Sequence, residues 1–161
     1  MKKLSPDTLR RHKGISFVGV TTCFLCHDGA GRIFLAKRSR NARDEHGRWE
    51  MGGGGLKWGE SVEANMRREV KEEYNATPLD VEFLGYRDVH RTNPDGQPTY
   101  WVALDFAVRV DPAETKIMEP EMFDDAGWFT LDTLPQPLHS QQMVTFTNNA
   151  AALERILGRP H

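Results

Sequence analysis

Acidic side chains recur at short, fixed spacing in the middle of the chain, in an arrangement suited to a divalent cation. Glu69, Glu72 and Glu73 lie three and four positions apart, so on a helix they project from one face. Like charges on one face repel one another unless a cation neutralises them. Mg²⁺ takes oxygen ligands at roughly 2.0 to 2.1 Å and accepts substrate phosphate oxygens beside protein carboxylates. The spacing therefore indicates a metal-phosphate site rather than a stripe of surface ion pairs.

Glycines and a second group of charged residues accompany this cluster. Residues 52–55 are four successive glycines, and Glu60 and Arg68 lie between them and the cluster. Glycine lets the backbone approach a ligand closely and take positive φ, at an entropic cost that makes such a run unusual without a use. Arg68 precedes Glu72 by four residues, so it is placed to orient that carboxylate by a charge-assisted hydrogen bond.

A helix is predicted to carry the glutamates. Ser61 is a suitable N-cap, and Glu63 in the first turn favours the helix dipole. Met66, Val70 and Tyr74 recur at four-residue intervals and form an apolar flank, which predicts an amphipathic helix of about 13 residues. One flank is expected to pack in the core while the other binds the metal.

Residues 54–76 resemble the Nudix box, which has a glycine, a glutamate six positions on, and then Arg-Glu-aliphatic-x-Glu-Glu after seven residues. The matching positions are Gly54, Glu60, Arg68, Glu69, Val70, Glu72 and Glu73. Asn75 replaces the family's glycine, and Ala76 is small for the final aliphatic position. Asparagine tolerates the left-handed conformation best among residues with a side chain, so we expect the helix to end at Asn75.

This resemblance implies an enzyme that uses Mg²⁺, with Mn²⁺ as a substitute, to hydrolyse a nucleoside diphosphate linked to another moiety. Water would attack phosphorus, and the metal would be held by the Gly53 carbonyl and by Glu69, Glu72 and Glu73. The resemblance assigns catalysis to Glu60, Arg68, Glu69, Glu72 and Glu73. The general base varies within the family and is left open between Glu60, Glu69, Glu119 and Glu121.

The substrate is also left open, between a nucleoside triphosphate, ADP-ribose and a nucleotide sugar. The positions where the family carries its proline or tyrosine subfamily markers hold Arg91, Thr92 and Asn93, so no subfamily is identified. Arg38 and Arg43 are candidates for phosphate binding. Trp49 and Trp58 are candidates for stacking on a base, together with Tyr86 and Trp101.

Two other functions use the same fold without this hydrolysis. One is a nucleotide sensor or binding module without catalysis, which usually lacks box glutamates that this chain retains. The other is an enzyme that isomerises isoprenyl diphosphates, for which an intact box is unnecessary. Phosphate release from a panel of nucleotides, compared with isoprenyl diphosphate turnover, would separate the readings.

Length and composition fit a single domain over residues 1–161, with a core at about 15–157. The net charge of -2 and the pI near 6.3 give no general attraction to nucleic acid or anionic membrane, so we expect a small nucleotide as partner. A cytoplasmic protein is expected, and a homodimer is left open. Cys23 and Cys26 lie in an apolar, strand-like run and are interpreted as structural cysteines.

The remaining pattern predicts strands at residues 17–26, 32–38, 79–91, 99–110 and 127–130, with a closing helix at 141–157. Residues 28–31 indicate a hairpin turn, residues 39–48 a polar loop and residues 111–125 a polar segment. In the strand at 99–110, Asp105 falls on the face opposite its large apolar residues. The order of elements predicts an α/β/α sandwich with a mixed β-sheet, and it resembles the Nudix fold. Residues 128–135 also resemble a Trp-x-x-Leu-x-x-Leu-Pro ending common in that family.

Overall fold

The computed structural model describes residues 3–158, which form a seven-stranded sheet flanked by helices. In chain order the elements are α1 Pro6–His12, β1 Gly19–His27, β2 Ile33–Arg38, β3 Trp49–Glu50, β4 Gly52–Gly55, α2 Val62–Tyr74, β5 Asp80–Thr92, β6 Pro98–Arg109, β7 Phe123–Phe129, a 3₁₀ turn Leu131–Thr133, α3 Ser140–Asn148 and α4 Ala150–Leu157. The predicted α/β sandwich is confirmed. No helix in this part of the chain is long and apolar enough to cross a membrane.

Strand β1 organises the sheet. It runs parallel to β6 along its whole length and antiparallel to β2 and β4, which makes the sheet mixed as predicted. The first half of β1 pairs with β4, and its last residue, His27, pairs with Ile33 of β2. Among the described residues β4 pairs with β1 alone, so its second edge is free of strand partners.

Two apolar cores lie on opposite faces of the sheet. The first lies under α2 and contains Phe24, Phe34, Met66, Val70, Tyr74 and Phe106. The second lies under α3 and α4 and contains Leu25, Leu35, Trp49, Met51, Phe146 and Leu153. The sheet is therefore covered on both faces, so inward residues of both faces are removed from water.

Helix α2 agrees with its prediction in length, caps and buried flank. It spans 13 residues, and the Ser61 hydroxyl accepts a hydrogen bond from the Ala64 amide at 3.2 Å. Met66, Val70 and Tyr74 are fully buried. Asn75 caps the C-terminus in the left-handed conformation, with φ 54° and ψ 11°, so the substitution at the box glycine preserves the backbone turn.

The expectation of positive φ in the glycine run is wrong. Residues 52–55 form strand β4, and none of them is among the described residues with positive φ. The side chains of α2 pack directly against this strand, so the glycines are required by close approach between the strand and the helix. The next subsection gives these distances.

The predicted closing helix at 141–157 is two helices, which is a second correction. Helix α3 ends at Asn149, whose backbone amide and side-chain amide both donate to the Thr145 carbonyl, at 3.1 and 2.9 Å. Asn149 has φ -117°, outside the helical range, and α4 begins at the next residue. Two short elements, α1 and β3, were also absent from the prediction, although Ser5 before Pro6 is a recognisable N-terminal signal for α1.

Candidate active site

Strand β4 lies so close to α2 that side chains on two of its glycines would collide with the box glutamates. A Cβ on Gly54 would lie 2.0 Å from Cδ of Glu69. One on Gly52 would lie 2.1 Å from Cε2 of the Phe24 ring and 2.8 Å from Oε2 of Glu73. The Gly53 amide donates to Glu73 Oε2 at 3.3 Å. The absence of side chains therefore lets both carboxylates reach the strand backbone.

Arg68 links the other glutamates of the box into one array. Its Nε and Nη2 donate to the two oxygens of Glu60 at 2.7 and 3.1 Å, and its Nη1 donates to Glu69 Oε1 and Glu72 Oε2, each at 2.8 Å. The predicted contact between Arg68 and Glu72 is therefore present, within a wider array than the sequence indicated. Because both Glu60 oxygens accept from Arg68, Glu60 is poorly placed to accept a proton from water.

Asn65 joins this array to β4 and was not identified from the sequence. Its Oδ1 accepts from Arg68 Nη2 at 2.8 Å, while its Nδ2 donates to Thr22 Oγ1 at 2.7 Å and to the Gly54 carbonyl at 3.1 Å. Asn65 and Thr22 are fully buried. A buried amide with these partners fixes the distance between the helix and the strand.

The carboxylates nearest the glycine strand are unfavourably charged without a cation. Burial raises the pKa of Glu73 well above its usual value, and the charges of Glu50 and Glu69 raise it further. Burial also raises the pKa of Glu69 and of Glu50, against the opposing effects of Arg68 and Arg38 respectively.

This donor set fits a hard divalent cation, because carboxylate oxygens that repel one another are the ligands that Mg²⁺ neutralises. The described side chains do not themselves form a ready-made group of three metal ligands. One oxygen of Glu69 and one of Glu72 instead converge on Nη1 of Arg68, at 2.8 Å each.

A cavity of about 410 Å³ opens beside this array, on the face of the sheet that carries α3. Its wall includes β4, Glu73, the loop at residues 39–48, the inward residues of β5 and β6, and the start of α3. Glu50, missed in the sequence analysis, lies in this wall together with Glu73.

The structure places two of the four residues expected to bind substrate in the cavity wall. Arg38 and Arg43 line the cavity, whereas Trp49 and Trp58 are not among the described residues that line it. Trp49 is a core residue, 8% exposed, with its ring 5.2 Å from that of Phe129 in an edge-to-face contact. Trp58 is 87% exposed in the turn after β4. Of the four predicted stacking candidates, only Trp101 lines the cavity.

An ion-pair network forms the rim of the cavity. Arg38 contacts Asp44 at 3.0 Å and Glu50 at 2.5 Å, and Arg91 contacts Asp44 and Glu45 at 2.8 Å each. These side chains retain at most 20% exposure. Such partly buried pairs hold a fixed geometry better than exposed ones, so the rim is pre-formed.

Glu45 fastens the loop to the start of α3. It adopts a left-handed conformation with φ 47°, which costs energy for a residue with a side chain. Its carboxylate accepts from the Ser140 amide at 2.8 Å and from the Ser140 hydroxyl at 2.5 Å. The strained backbone thereby places an acidic group at the helix N-terminus, where negative charge is favourable.

His139 lies between this carboxylate and the cavity. Its Nδ1 accepts from the Gln141 amide at 3.1 Å as the N-cap of α3, so Nε2 carries the proton and points toward Glu45 Oε1 at 3.5 Å. Burial lowers the pKa of His139 to about 4, although Glu45 opposes the shift. The histidine is therefore neutral at physiological pH, with its Nε2–H directed toward Glu45.

The floor of the cavity contains a buried ion pair. Arg87 of β5 donates to both oxygens of Asp105 of β6, at 2.7 and 3.1 Å, and also to Gln141 Oε1 at 3.0 Å. The predicted placement of Asp105 opposite the large apolar residues is consistent with this contact. The sequence offers one indication of this ion pair, which is the presence of an arginine and an aspartate at inward positions of two neighbouring strands.

The two cysteines behave as structural residues. Both are free, and both lie on β1. Burial raises the pKa of Cys23 to about 12 and that of Cys26 beyond the range where a thiolate forms near neutral pH.

Comparison with known proteins identifies relatives over most of the chain. The model of the NUDIX domain matches residues 18–149. An RNA pyrophosphohydrolase of Acinetobacter baylyi is 29% identical over 112 residues, covering 61% of this chain and 64% of that protein. An RNA pyrophosphohydrolase of Caulobacter vibrioides is 31% identical over 121 residues, covering 66% of this chain and 68% of that protein. The chain thus spans about two thirds of the length of these relatives.

Solved structures show the same architecture. The MutT NUDIX hydrolase from Burkholderia pseudomallei has a TM-score of 0.69 and 30% identity, over 82% of this chain and 98% of that one. The NUDIX domain of Shewanella oneidensis NrtR, solved as a complex with ADP ribose, has a TM-score of 0.67 and 18% identity, over 93% and 99% of the two chains. At 18% identity the second match supports the fold alone.

Proposed function

Because this chain belongs to the NUDIX family, we propose that it is a divalent-cation-dependent hydrolase of nucleoside diphosphates linked to another moiety. The observation that carries the proposal is the convergence of Glu69 and Glu73 on the side-chain-free strand β4, with Arg68 joining Glu60, Glu69 and Glu72. The two RNA pyrophosphohydrolases and the MutT NUDIX hydrolase named above are hydrolases by name, which favours hydrolysis over a sensor or an isomerase.

In the proposed reaction the protein binds and orients the diphosphate beside β4, where the α2 residues Glu69 and Glu73 reach the strand. Glu69 and Glu73, with Glu72 and the Gly53 carbonyl, would hold Mg²⁺ or Mn²⁺. The bound cation would stabilise charge on the phosphoryl oxygens during attack by water. Arg68 acts on the reaction through the glutamates it orients.

As general base the proposal favours Glu69 or Glu119, because both carboxylates lie near enough to Glu73 to raise its pKa. Glu69 has one oxygen bonded to Arg68 and a pKa raised by burial. Glu119 lies near enough to Glu73 to raise its pKa. Glu121 is not among the charges that raise the pKa of Glu73, and its backbone carbonyl holds the 39–48 loop by accepting from Ser39 Oγ at 2.7 Å and from Asn41 Nδ2 at 2.9 Å.

A substrate panel tests the proposal. Nucleoside triphosphates, ADP-ribose, nucleotide sugars and a 5′-triphosphorylated RNA are incubated with Mg²⁺, with Mn²⁺ or with a chelator, and isopentenyl diphosphate is the isomerase control. We expect cation-dependent phosphate or nucleotide release from at least one nucleotide, and ¹⁸O from labelled water in a phosphate product. Label only on a sugar carbon, or accumulation of an isomerised substrate, would overturn the proposal.

A further inference from the structure

The arginines around the cavity are already compensated by carboxylates. Arg87 pairs with Asp105, and Arg38 and Arg91 share Asp44 while also contacting other glutamates. The Nε atom of Arg43 is 3.7 Å from Asp44. The positive charge of these arginines is thus balanced by protein carboxylates. This part of the rim offers a ligand hydrogen bonds rather than net positive charge.

Lys13 differs from these arginines. Its ammonium donates to the Leu56 carbonyl, and no ion pair between Lys13 and a carboxylate occurs among the described residues. The side chain is partly buried, and burial together with the charge of Lys57 lowers its pKa. The charge of this ammonium is not balanced by a carboxylate, so it is free to attract an anionic ligand.

The position of Lys13 relative to β4 places it on the cavity side. Gly52 and Gly54 face α2, so the alternation of a strand directs Gly55 toward the opposite face. A Cβ on Gly55 would lie 3.7 Å from Lys13 Nζ and 3.8 Å from Cζ3 of Trp101. Gly55 and Trp101 both line the cavity. The ammonium therefore lies next to two residues that line the cavity, without lining it itself, at the end of β4 that follows the glutamate contacts.

The segment that carries Lys13 is fixed to the sheet. Gly14 and Gly19 pack on the Trp101 indole so tightly that a Cβ on either would lie 2.2 Å from its Nε1 or 2.5 Å from its Cε3. The Gly14 carbonyl accepts from the Tyr100 amide at 2.8 Å. The backbone that carries Lys13 is consequently held in place before any ligand binds.

We propose that Lys13 forms a subsite for a third phosphate, so that the preferred substrates carry three consecutive phosphates, as a nucleoside triphosphate does. This inference rests on the proposed function, which places a diphosphate at β4 and α2. The open edge of β4 joins the glutamate face at Gly52 and Gly54 to the Lys13 face at Gly55. An ammonium is a compact point charge suited to a terminal phosphate, whereas a neutral sugar in that position has no need of it.

Calorimetric binding of inorganic pyrophosphate and tripolyphosphate, with Mg²⁺ at constant ionic strength, tests the subsite directly. We expect Lys13→Met to raise the Kd of tripolyphosphate about tenfold, the effect of losing one charge-assisted hydrogen bond. The Kd of pyrophosphate should change less than about twofold, because its phosphates contact β4 and α2 instead. Lys13→Arg retains the charge and should restore most of the tripolyphosphate affinity.

The matched control is Lys3→Met, which removes the same charge from an exposed position in the same N-terminal segment. It should leave both affinities unchanged. If Lys13→Met does not fold, Lys13→Gln, which retains a donor for the Leu56 carbonyl, replaces it. Equal losses for the two anions, or no loss for either, would overturn the inference.

Kinetics separate failure of the subsite from failure of the proposed function. Lys13→Met should lower kcat/KM for nucleoside triphosphates through KM and leave that for ADP-ribose unchanged. Equal effects on both substrates reject the subsite while the hydrolase assignment stands. If no nucleotide is hydrolysed by the parent protein, the proposed function fails, and the two anion affinities still decide the role of Lys13.

Discussion

Gly54 and Glu69 are in direct contact, because the glutamate carboxyl carbon occupies the space that a side chain on the glycine would need. A Cβ there would come within 2.0 Å of Glu69 Cδ, whereas the nearest atom to a Cβ on Gly55 is 3.7 Å away. A side chain is therefore sterically excluded at Gly54 but not at Gly55. Alanine substitutions at the two positions test this difference.

We expect Gly54→Ala to lower turnover at least about a hundredfold, because the displaced carboxylate loses a geometry that tolerates little error. Gly55→Ala should fold with a free energy of unfolding within about 1 kcal/mol of the parent, since its new methyl group makes ordinary contacts. Steady-state kinetics and urea unfolding measure the two effects. Equal turnover in Gly54→Ala and the parent would show that Glu69 does not need its present position.

Replacing Glu73 by glutamine should separate stability from activity. The raised pKa of Glu73 shows that its charge is unfavourable beside Glu50 and Glu69, so Glu73→Gln should match or exceed the parent in melting temperature without metal. Turnover should fall at least about a hundredfold, since a ligand that acts on transition-state charge is lost. Near-full activity in this variant would reject the site.

Asn75 provides a test of the helix cap. Because its φ is 54°, Asn75→Gly should be nearly neutral, whereas Asn75→Val should cost on the order of 1 kcal/mol or more through strain at positive φ. Chemical denaturation gives both values. A valine variant as stable as the parent would mean that the backbone leaves α2 by another conformation.

His139 should make stability depend on pH. Its pKa falls from 6.5 to about 4 on folding, so between these values the unfolded chain binds more protons than the folded protein. The stabilisation from neutral His139 is complete above about pH 6.5 and is lost as pH falls to about 4, amounting to about 3 kcal/mol at most.

The matched variant is His139→Asn, which retains an acceptor for the N-cap of α3. The difference in unfolding free energy between parent and variant should change across this pH range, because groups remote from residue 139 contribute equally to both proteins. Glu45, whose pKa is lowered in part by His139, titrates as part of the same pair. A constant difference would show that His139 titrates normally in the folded state.

The box helix was predictable because its determinants are local. Ser61, the apolar flank and Asn75 act within a few turns of α2, and the structure agrees with each. The glycine run was assigned to ligand approach, but its collision partners, Glu69 and Glu73, become visible only when β4 pairs with β1 and lies under the helix. Contacts of this kind depend on packing between distant segments.

The cavity wall was harder to predict for the same reason. Glu50 lies near Glu73, and Arg87 pairs with Asp105, through strand pairing that sequence spacing does not specify. Trp49 was a reasonable candidate for base stacking by residue type, yet it lies on the face of β3 that packs on Phe129. Successive residues of a strand point to opposite faces of the sheet, so a shift of one residue decides which face Trp49 occupies. Strand β3 has only two residues, which is too short for the sequence to indicate that face.

The side-chain-free strand also constrains how this protein can diverge. A descendant that keeps Phe24, Glu69 and Glu73 must keep Gly52 and Gly54. A methyl group on Gly52 would meet the Phe24 ring and Glu73, and one on Gly54 would meet Glu69. The 39–48 loop, the start of α3 and the segment around Lys13 meet the cavity through side chains, which can be exchanged without moving β4 or α2. Gene duplication followed by substitution would therefore change which molecule is held long before it changed how the molecule is cleaved.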